Sequence, residues 1–297
     1  MTSLDLGRLG VWGHLDSLAA ADAIAYARRA EALGYGTLWV PETVGREPFA
    51  FLGLLAGATG AINLGTSIVG IWGHDAQTTR MAAMTLAEAS GGRFVLGLGV
   101  SHPHLAAKLR GHTYDRPLAR MREYLAAYRA ATYRGPMTDA GPEPPVLVAA
   151  LRERMTELAA TDADGALPYL VTPERVAWMR GRLDAAPADV RPLMAVTLPV
   201  VIGDAGHRDA ARAYLRPYLR TPTYHASWEL QGFEAADWEP PASDRLVDTM
   251  VAIGSVGAVR QRIDAMTAAG ADHVALIPLA GDGTTEHLPA LEALAEA

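Results

Sequence analysis

Three side chains that could transfer a proton each stand shortly after an apolar run of the sequence. His14 follows LGVW, Glu42 follows TLWV, and His102 follows FVLGLG. Imidazole titrates close to neutral pH, which suits it to general acid–base catalysis, and a carboxylate can hydrogen-bond to a protonated intermediate. We therefore treat His14, Glu42 and His102 as candidate catalytic residues.

Each of these positions also has a purely structural interpretation. Ser101 can cap a helix and leave His102 in solvent. Glu42 can form a surface ion pair with Arg46, an arrangement that contributes little to stability. His14 can be an ordinary loop residue. What favours catalysis is that all three come directly after apparent buried strands, where active sites of α/β barrels lie.

The elements that must position these residues are indicated by eight apolar runs that alternate with helical patterns. The runs are residues 9–12, 37–40, 62–70, 94–99, 146–150, 167–171, 193–202 and 273–279. Most are apolar on both faces, as parallel strands covered by helices are. The alternation predicts an α/β fold, a (β/α)₈ TIM barrel formed by one domain over residues 1–297, with an open doubly wound sheet as the alternative.

Helices are predicted from apolar spacing and from their ends. Leu118, Met121, Leu125 and Tyr128 recur at intervals of three and four residues, which is typical of a helix. The stretch between the seventh and eighth runs is too long for one connection. It predicts a helix over Ala205–Leu219 and then an aromatic, proline-bearing segment that could serve as a lid or interface.

Composition excludes several classes of function. The chain has 297 residues, a net charge of −7 and no cysteine. Without cysteine there are no disulfides, thiolate metal sites or cysteine nucleophiles, and the histidines are spaced singly, so we expect no metal site. An acidic protein is a poor partner for nucleic acid. No signal peptide or membrane-spanning run is visible, which predicts a cytoplasmic protein that acts on a small molecule.

Five blocks of the sequence resemble the bacterial-luciferase-like superfamily, and in particular its coenzyme F420-dependent oxidoreductase branch. They are YGTLWVPE, LGTSIVGIWGHD, GGRFVLGLGVSHP, MTELAATDADGALPYLVTPE and MTAAGADHVALIPL, and they extend over nearly the whole chain. The resemblance implies a TIM barrel with F420 or FMN at the carboxyl ends of the strands. It also favours a homodimer.

The resemblance implies particular cofactor contacts. It places a non-proline cis peptide at Ser67–Ile68, in a bulge that would support the ring, and it places the ribityl-phosphate end of the cofactor near Arg152. The implied cofactor-binding residues are Ser67, Ile68, Val69, Gly99, Val100, Ser101, Ala150, Leu151, Arg152 and Tyr169. Trp12 and Trp72 are assigned to the wall of the substrate pocket, with core packing as the alternative.

The chain departs from the pattern of this branch at three places. Sugar-phosphate and alcohol dehydrogenases of the group carry an acidic residue and then histidine after the second strand, whereas this chain has Glu42 and Thr43. The sugar dehydrogenases place glutamate at the position of His102. The helix after the fifth strand begins LRERM, without the glycine expected beside a phosphate. The first two differences predict a different proton donor and a different substrate. The third predicts weaker phosphate contacts at the start of this helix.

The resulting hypothesis is an F420-dependent oxidoreductase that transfers hydride between reduced F420 and a small organic substrate, in the reducing direction. A deazaflavin carries hydride, so the protein must position the substrate and supply a proton. Two alternatives stay open. One is an FMN-dependent luciferase-like monooxygenase, and the other is a non-catalytic cofactor-binding barrel.

Overall fold

The chain forms a closed barrel of parallel strands. The computed structural model describes residues 4–103, 105–136, 143–187, 190–203, 207–285 and 288–295. The strands in these ranges are β1 (Leu9–Trp12), β2 (Thr37–Val40), β3 (Asn63–Thr66), β4 (Val69–Gly70), β5 (Phe94–Gly99), β6 (Val146–Ala149), β7 (Gly165–Leu167), β8 (Leu193–Ile202), β9 (Ala252–Gly254) and β10 (His273–Pro278). The barrel closes because β10 pairs with β1 on one side and with β8 on the other.

Helices cover the outside of the barrel. They are α1 (Ala20–Ala32), α2 (Pro48–Ala56), α3 (Ala76–Ala89), α4 (Pro117–Ala130), α5 (Glu153–Thr161), α6 (Pro173–Asp184), α7 (Arg208–Leu215), α8 (Pro222–Glu229), α9 (Ala235–Trp238), α10 (Asp244–Met250), α11 (Val256–Ala268) and α12 (Leu288–Leu294). Gly34 and Gly270, which follow α1 and α11, have φ of +83° and +106°, a backbone conformation that glycine adopts readily. Within the described ranges, no helix has the length and apolarity needed to cross a membrane.

The predicted barrel is confirmed, and the open sheet is excluded by the pairing of β1 with β10. Three details of the strand prediction were wrong. The run 62–70 is two strands, because the chain bulges between β3 and β4. The strand predicted over 167–171 lies earlier in the structure, as β7 (Gly165–Leu167), and the chain bends at Leu170, whose φ is +53°. A short strand that was not predicted, β9, pairs with the end of β8.

The long connection between β8 and β10 contains α7 to α10 and a second apolar cluster. Trp228 lies at the centre of this cluster and is fully buried. The predicted helix over Ala205–Leu219 is shorter in the structure, where α7 ends at Leu215 and a 3₁₀ turn follows from Tyr218 to Arg220. Pro217 cannot donate a backbone hydrogen bond, which favours this break. Ala205 lies outside the described residues.

Two ring side chains fill the amino-terminal half of the barrel. Trp39 Nε1 donates a hydrogen bond to His273 Nε2 at 2.9 Å, so His273 Nδ1 must be the protonated nitrogen that donates to the carbonyl of Gly7 at 2.7 Å. Glycines make room for the rings. A Cβ atom at Gly65 would lie 2.5 Å from Trp39, and one at Gly10 would collide with His273.

Because His273 is buried in its neutral form, stability should fall in acid. Burial lowers the pKa of His273 to about 4. An unfolded histidine titrates near 6.5, so between pH 6.5 and 4 the unfolded chain binds a proton that the folded protein does not bind. Stability from this site should be complete above pH 6.5 and decline by about 3 kcal/mol as the pH falls to 4.

Urea unfolding at several pH values checks this expectation. The His273→Gln variant retains a donor and an acceptor but cannot take up the proton. The free-energy difference between wild type and variant should therefore shrink steadily from pH 7 to pH 4. A difference that is the same at both pH values would contradict the assignment.

Candidate active site

A cavity of about 460 Å³ opens at the carboxyl ends of the barrel strands, within the range of small-molecule sites. It brings together most of the residues that the sequence indicated. Among these, the lining contains Trp12, His14, Glu42, Ser67, Ile68, Gly99, Val100, Ser101, His102, Leu151, Arg152 and Tyr169. These residues follow six different strands, so the barrel, rather than any local segment, assembles the site.

One wall of the cavity is the bulge between β3 and β4. The Ser67–Ile68 peptide bond is cis, as predicted. The bulge is held from two sides. Trp12 Nε1 donates to the carbonyl of Ser67 at 2.9 Å, and the amide of Glu42 donates to the carbonyl of Ile68 at 3.2 Å. The side chain of Trp12 therefore supports the bulge as well as lining the cavity.

The neighbouring wall is the end of β5 and the residues after it. A Cβ atom at Gly99 would lie 2.7 Å from the Ile68 side chain, so glycine at this position lets β5 pack against the bulge. Ser101 has a φ of +54°, the left-handed conformation, and not the extended conformation of an N-cap residue. The predicted alternative in which Ser101 caps a helix is therefore wrong.

The two candidate histidines occupy different parts of the cavity. His102 is half-buried, and its ring centre lies 5.5 Å from that of Tyr224. Its carbonyl accepts hydrogen bonds from the amides of Leu105 and Ala106, which begin a short π-helical turn over Leu105–Leu109. The ring of His14 is also partly exposed and stacks along Trp12, with 6.3 Å between ring centres.

Glu42 is the most constrained polar residue at the site. Its carboxylate accepts a hydrogen bond from the amide of Gly70 at 2.6 Å and another from His74 Nε2 at 3.0 Å. It also forms an ion pair with Arg110. Burial acts to raise the pKa of Glu42, but these donors and positive charges outweigh it and lower the pKa below its ordinary value. Glu42 is therefore a carboxylate at neutral pH.

The ion pair between Glu42 and Arg46, given above as the structural interpretation, does not form. Arg46 donates to the carbonyl of Leu18, and its amide bonds to Asp16. His74, which precedes α3, bonds to Glu42 and does not cap the helix. Asp75 caps that helix, by accepting from the amide of Thr78 at 2.9 Å.

Another wall of the cavity is a group of tyrosines. The sequence indicated Tyr169 as a cofactor contact, and it indicated the aromatic segment after β8 only as a lid or interface. Tyr218 and Tyr224, from the long connection after β8, also line the cavity. Their ring centres are 5.0 Å apart and meet edge to face, and the hydroxyl of Tyr169 bonds to that of Tyr214. Burial raises the pKa of all four tyrosines, so this wall carries no charge at neutral pH.

The remaining end of the cavity is formed by the start of α5. Leu151, Arg152 and Met155 line the cavity there, and the Arg152 side chain does not cap its own helix. The first amides of a helix lack intrahelical partners and attract anions. The carbonyl of Leu151 is held by Arg175 Nη2 at 2.7 Å. The start of α5 and Arg152 therefore make this end of the cavity suitable for an anionic group.

Three predicted site residues lie outside the cavity wall. Val69 and Ala150 are almost fully buried. The Trp72 side chain faces a separate pocket, beside Tyr124 and His112, and its Nε1 donates to the carbonyl of Val100 at 2.7 Å. The assignment of Trp72 to the substrate wall is corrected accordingly. Through this hydrogen bond, Trp72 supports the residues after β5 from the side that faces away from the cavity.

Comparison with known proteins agrees with this geometry. Residues 1–273 match the luciferase-like monooxygenase family, and the chain belongs to that family. A Mycobacterium tuberculosis protein named "Putative coenzyme F420-dependent oxidoreductase" is 29% identical to this chain, over 89% of this chain and 91% of the relative.

Solved structures show the same fold. The coenzyme F420-dependent tetrahydromethanopterin reductase of Methanopyrus kandleri superposes with a TM-score of 0.73 at 17% identity, over 97% of each chain. The FMN complex of the oxygenating constituent of 3,6-diketocamphane monooxygenase from Pseudomonas putida gives a TM-score of 0.70 at 16% identity, also over 97% of each chain. At these identities the likeness concerns the fold.

Proposed function

We propose that the protein is an F420-dependent oxidoreductase that reduces a small organic substrate. The observation that carries the proposal is a single cavity lined both by the cis Ser67–Ile68 bulge and by His102. The name of the Mycobacterium tuberculosis relative supports F420 as the cofactor. An FMN-dependent monooxygenase is the second candidate, supported by the fold shared with an FMN-binding oxygenase.

The cavity has parts that suit each portion of F420. Ser67 and Ile68 present backbone against which a flat ring can lie, and Gly99 allows β5 to approach this backbone closely. Arg152 and the first amides of α5 would hold the phosphate. When bound and reduced, F420 supplies a hydride to the substrate.

The protein must then supply a proton, and His102 is the residue that we assign to this step. Its ring lines the cavity, whereas the carboxylate of Glu42 is already engaged by three donors. The imidazolium form would donate its proton to the substrate atom that gains negative charge when the neighbouring carbon accepts the hydride, for example a carbonyl oxygen, and would be reprotonated from solvent. The uncharged tyrosine wall around Tyr218 and Tyr224 favours an uncharged substrate, because charged groups lose hydration there without a partner.

Cofactor titration of the purified protein tests the proposal. The fluorescence of F420 should change on binding until the protein is saturated, and excess FMN should not displace the bound F420. Reduced F420 should then be oxidised only when an uncharged carbonyl or conjugated alkene is added. Tight binding of FMN together with oxygen consumption would support the monooxygenase, and binding without turnover of any compound would support a non-catalytic barrel.

A pair of arginine variants tests where the phosphate of the cofactor binds. Arg152→Gln should weaken F420 binding about tenfold, because a charge-assisted contact to phosphate is lost. Arg154→Gln is the matched control, since Arg154 is exposed on the same helix and does not line the cavity. Fluorescence titration of both variants gives the comparison. Equal affinities in the two variants would place the phosphate elsewhere.

A further inference from the structure

We propose that Glu42 is a positioning residue that joins the Ser67–Gly70 bulge to the segment carrying His102, and that it does not donate the proton to the substrate. The proposal rests on the proposed function only for the statement that these two walls hold cofactor and substrate. The join itself is a property of the apo protein and can be tested without either ligand.

The first part of the argument is the number of elements that meet at one carboxylate. Glu42 follows β2 and contacts three other stretches of chain. The amide of Gly70 belongs to β4, His74 precedes α3, and Arg110 directly follows the π-helical turn that comes after His102. Each contact is a hydrogen bond or ion pair to a charged acceptor, the stronger class of protein hydrogen bond.

The second part is the way in which the backbone reinforces the same connection. The amide of Glu42 donates to the carbonyl of Ile68, while the carboxylate accepts from the amide of Gly70, so Glu42 holds this stretch at two points, Ile68 in the bulge and Gly70 in β4. On the other side, the guanidinium of Arg110 packs where a side chain at Gly73 would collide with it. Glycine at this position therefore admits the arginine to Glu42.

The third part is enclosure. The Glu42 side chain is 8% exposed and the His74 side chain 14%, and the edge of the Phe49 ring covers His74 at 5.4 Å. A buried carboxylate that is bonded to a backbone amide, a histidine ring and a guanidinium has little freedom to rotate towards a substrate. Losing the Glu42 carboxylate would leave its three donors buried without their shared acceptor, which is costly.

Hydrogen exchange of the apo protein tests the join. In Glu42→Gln, amides in residues 68–74 and in residues 105–112 should both exchange faster, because the amide side chain cannot accept from all three donors. Arg110→Gln, which removes only the partner on the π-helical side, should speed exchange in 105–112 and leave 68–74 close to wild type. Glu229→Gln, on the exposed face of α8, is the matched control and should change neither segment.

Kinetics separate positioning from proton donation. With reduced F420 and a substrate, Glu42→Gln should lower kcat/KM about tenfold to a hundredfold through misplacement, and the shape of its pH profile should stay as in wild type. Glu42→Asp should recover part of the loss, since a carboxylate remains. Normal exchange in both segments together with a lost limb in the pH profile would overturn the proposal and make Glu42 the acid.

The two experiments also distinguish this proposal from the proposed function. If wild-type protein does not bind F420, the proposed function fails, but faster exchange in both segments of Glu42→Gln still supports the join. If F420 binds and turns over while exchange in Glu42→Gln is unchanged, the function stands and the join is wrong.

Discussion

Replacing His102 with alanine should lower kcat about 10²- to 10⁴-fold and leave the affinity for F420 nearly unchanged. The reason is that, in the proposed site, different groups contact the cofactor and the substrate. Backbone at Ser67, Ile68 and Gly99 would bear on the cofactor ring, whereas the His102 side chain extends into the space next to Tyr224. Removing an imidazole there would remove a proton donor without removing a cofactor contact.

His112→Ala is a suitable control for this measurement. His112 lies in the same connection between β5 and α4, but its ring faces the separate pocket beside Trp72, at 6.3 Å between ring centres. We expect this variant to retain wild-type kcat and F420 affinity. Steady-state kinetics and a fluorescence titration of both variants make the comparison.

A wild-type kcat in His102→Ala would remove the residue from the mechanism. The donor would then be sought at His14, which also lines the cavity and whose ring stacks along Trp12. A parallel loss of kcat and of F420 affinity in His102→Ala would mean something different. It would show that the loop after β5 had moved, and that His102 supports the site instead of reacting in it.

The barrel could be predicted from the sequence because each strand is a local feature. A run such as FVLGLG is apolar on both faces, and such runs alternate with helical spacing along the chain. The positions of His14, Glu42 and His102 at the cavity followed from the same rule, because carboxyl ends of barrel strands converge. Strand ends were less predictable where backbone conformation decided them, as at Leu170.

The partners of those residues could not be predicted, because they are distant in sequence. Glu42 meets His74 and Arg110, which are 32 and 68 residues away, and no local pattern indicates that they share a carboxylate. The tyrosine wall presents the same difficulty. Tyr169 follows β7, whereas Tyr218 and Tyr224 belong to a connection whose course over the barrel has no signature in apolar periodicity.

Gly97→Ala should destabilise the barrel by about 3 kcal/mol and also weaken F420 binding. Gly97 lies inside β5, where a Cβ atom would collide with the backbone carbonyl of Thr66. The Thr66 hydroxyl accepts from the Gly97 amide and donates to the Gly97 carbonyl, both at 2.8 Å. Backbone cannot move aside as a flexible side chain can, so β3 and β5 would have to separate.

The expected loss of F420 affinity follows from where this separation would occur. Regular pairing of β3 with β5 ends at Gly65 opposite Val95, and the Thr66 hydroxyl maintains the contact beyond that point. The next residue, Ser67, begins the cis bulge that forms the proposed ring platform. A displacement of Thr66 should therefore also displace Ser67 and the platform.

Gly181→Ala provides the matched control for the same chemical change. Gly181 lies in α6, and a Cβ atom there would meet no neighbouring atom within 4 Å. Alanine is the better helix former, so this variant should be more stable than wild type by about 0.5–1 kcal/mol with unchanged F420 affinity. Urea unfolding and fluorescence titration measure both quantities.

If Gly97→Ala were as stable as wild type but bound F420 weakly, β5 would have shifted at small cost, and the bulge alone would depend on this glycine. Wild-type stability and wild-type affinity together would mean that the Thr66 contact does not hold the platform in place.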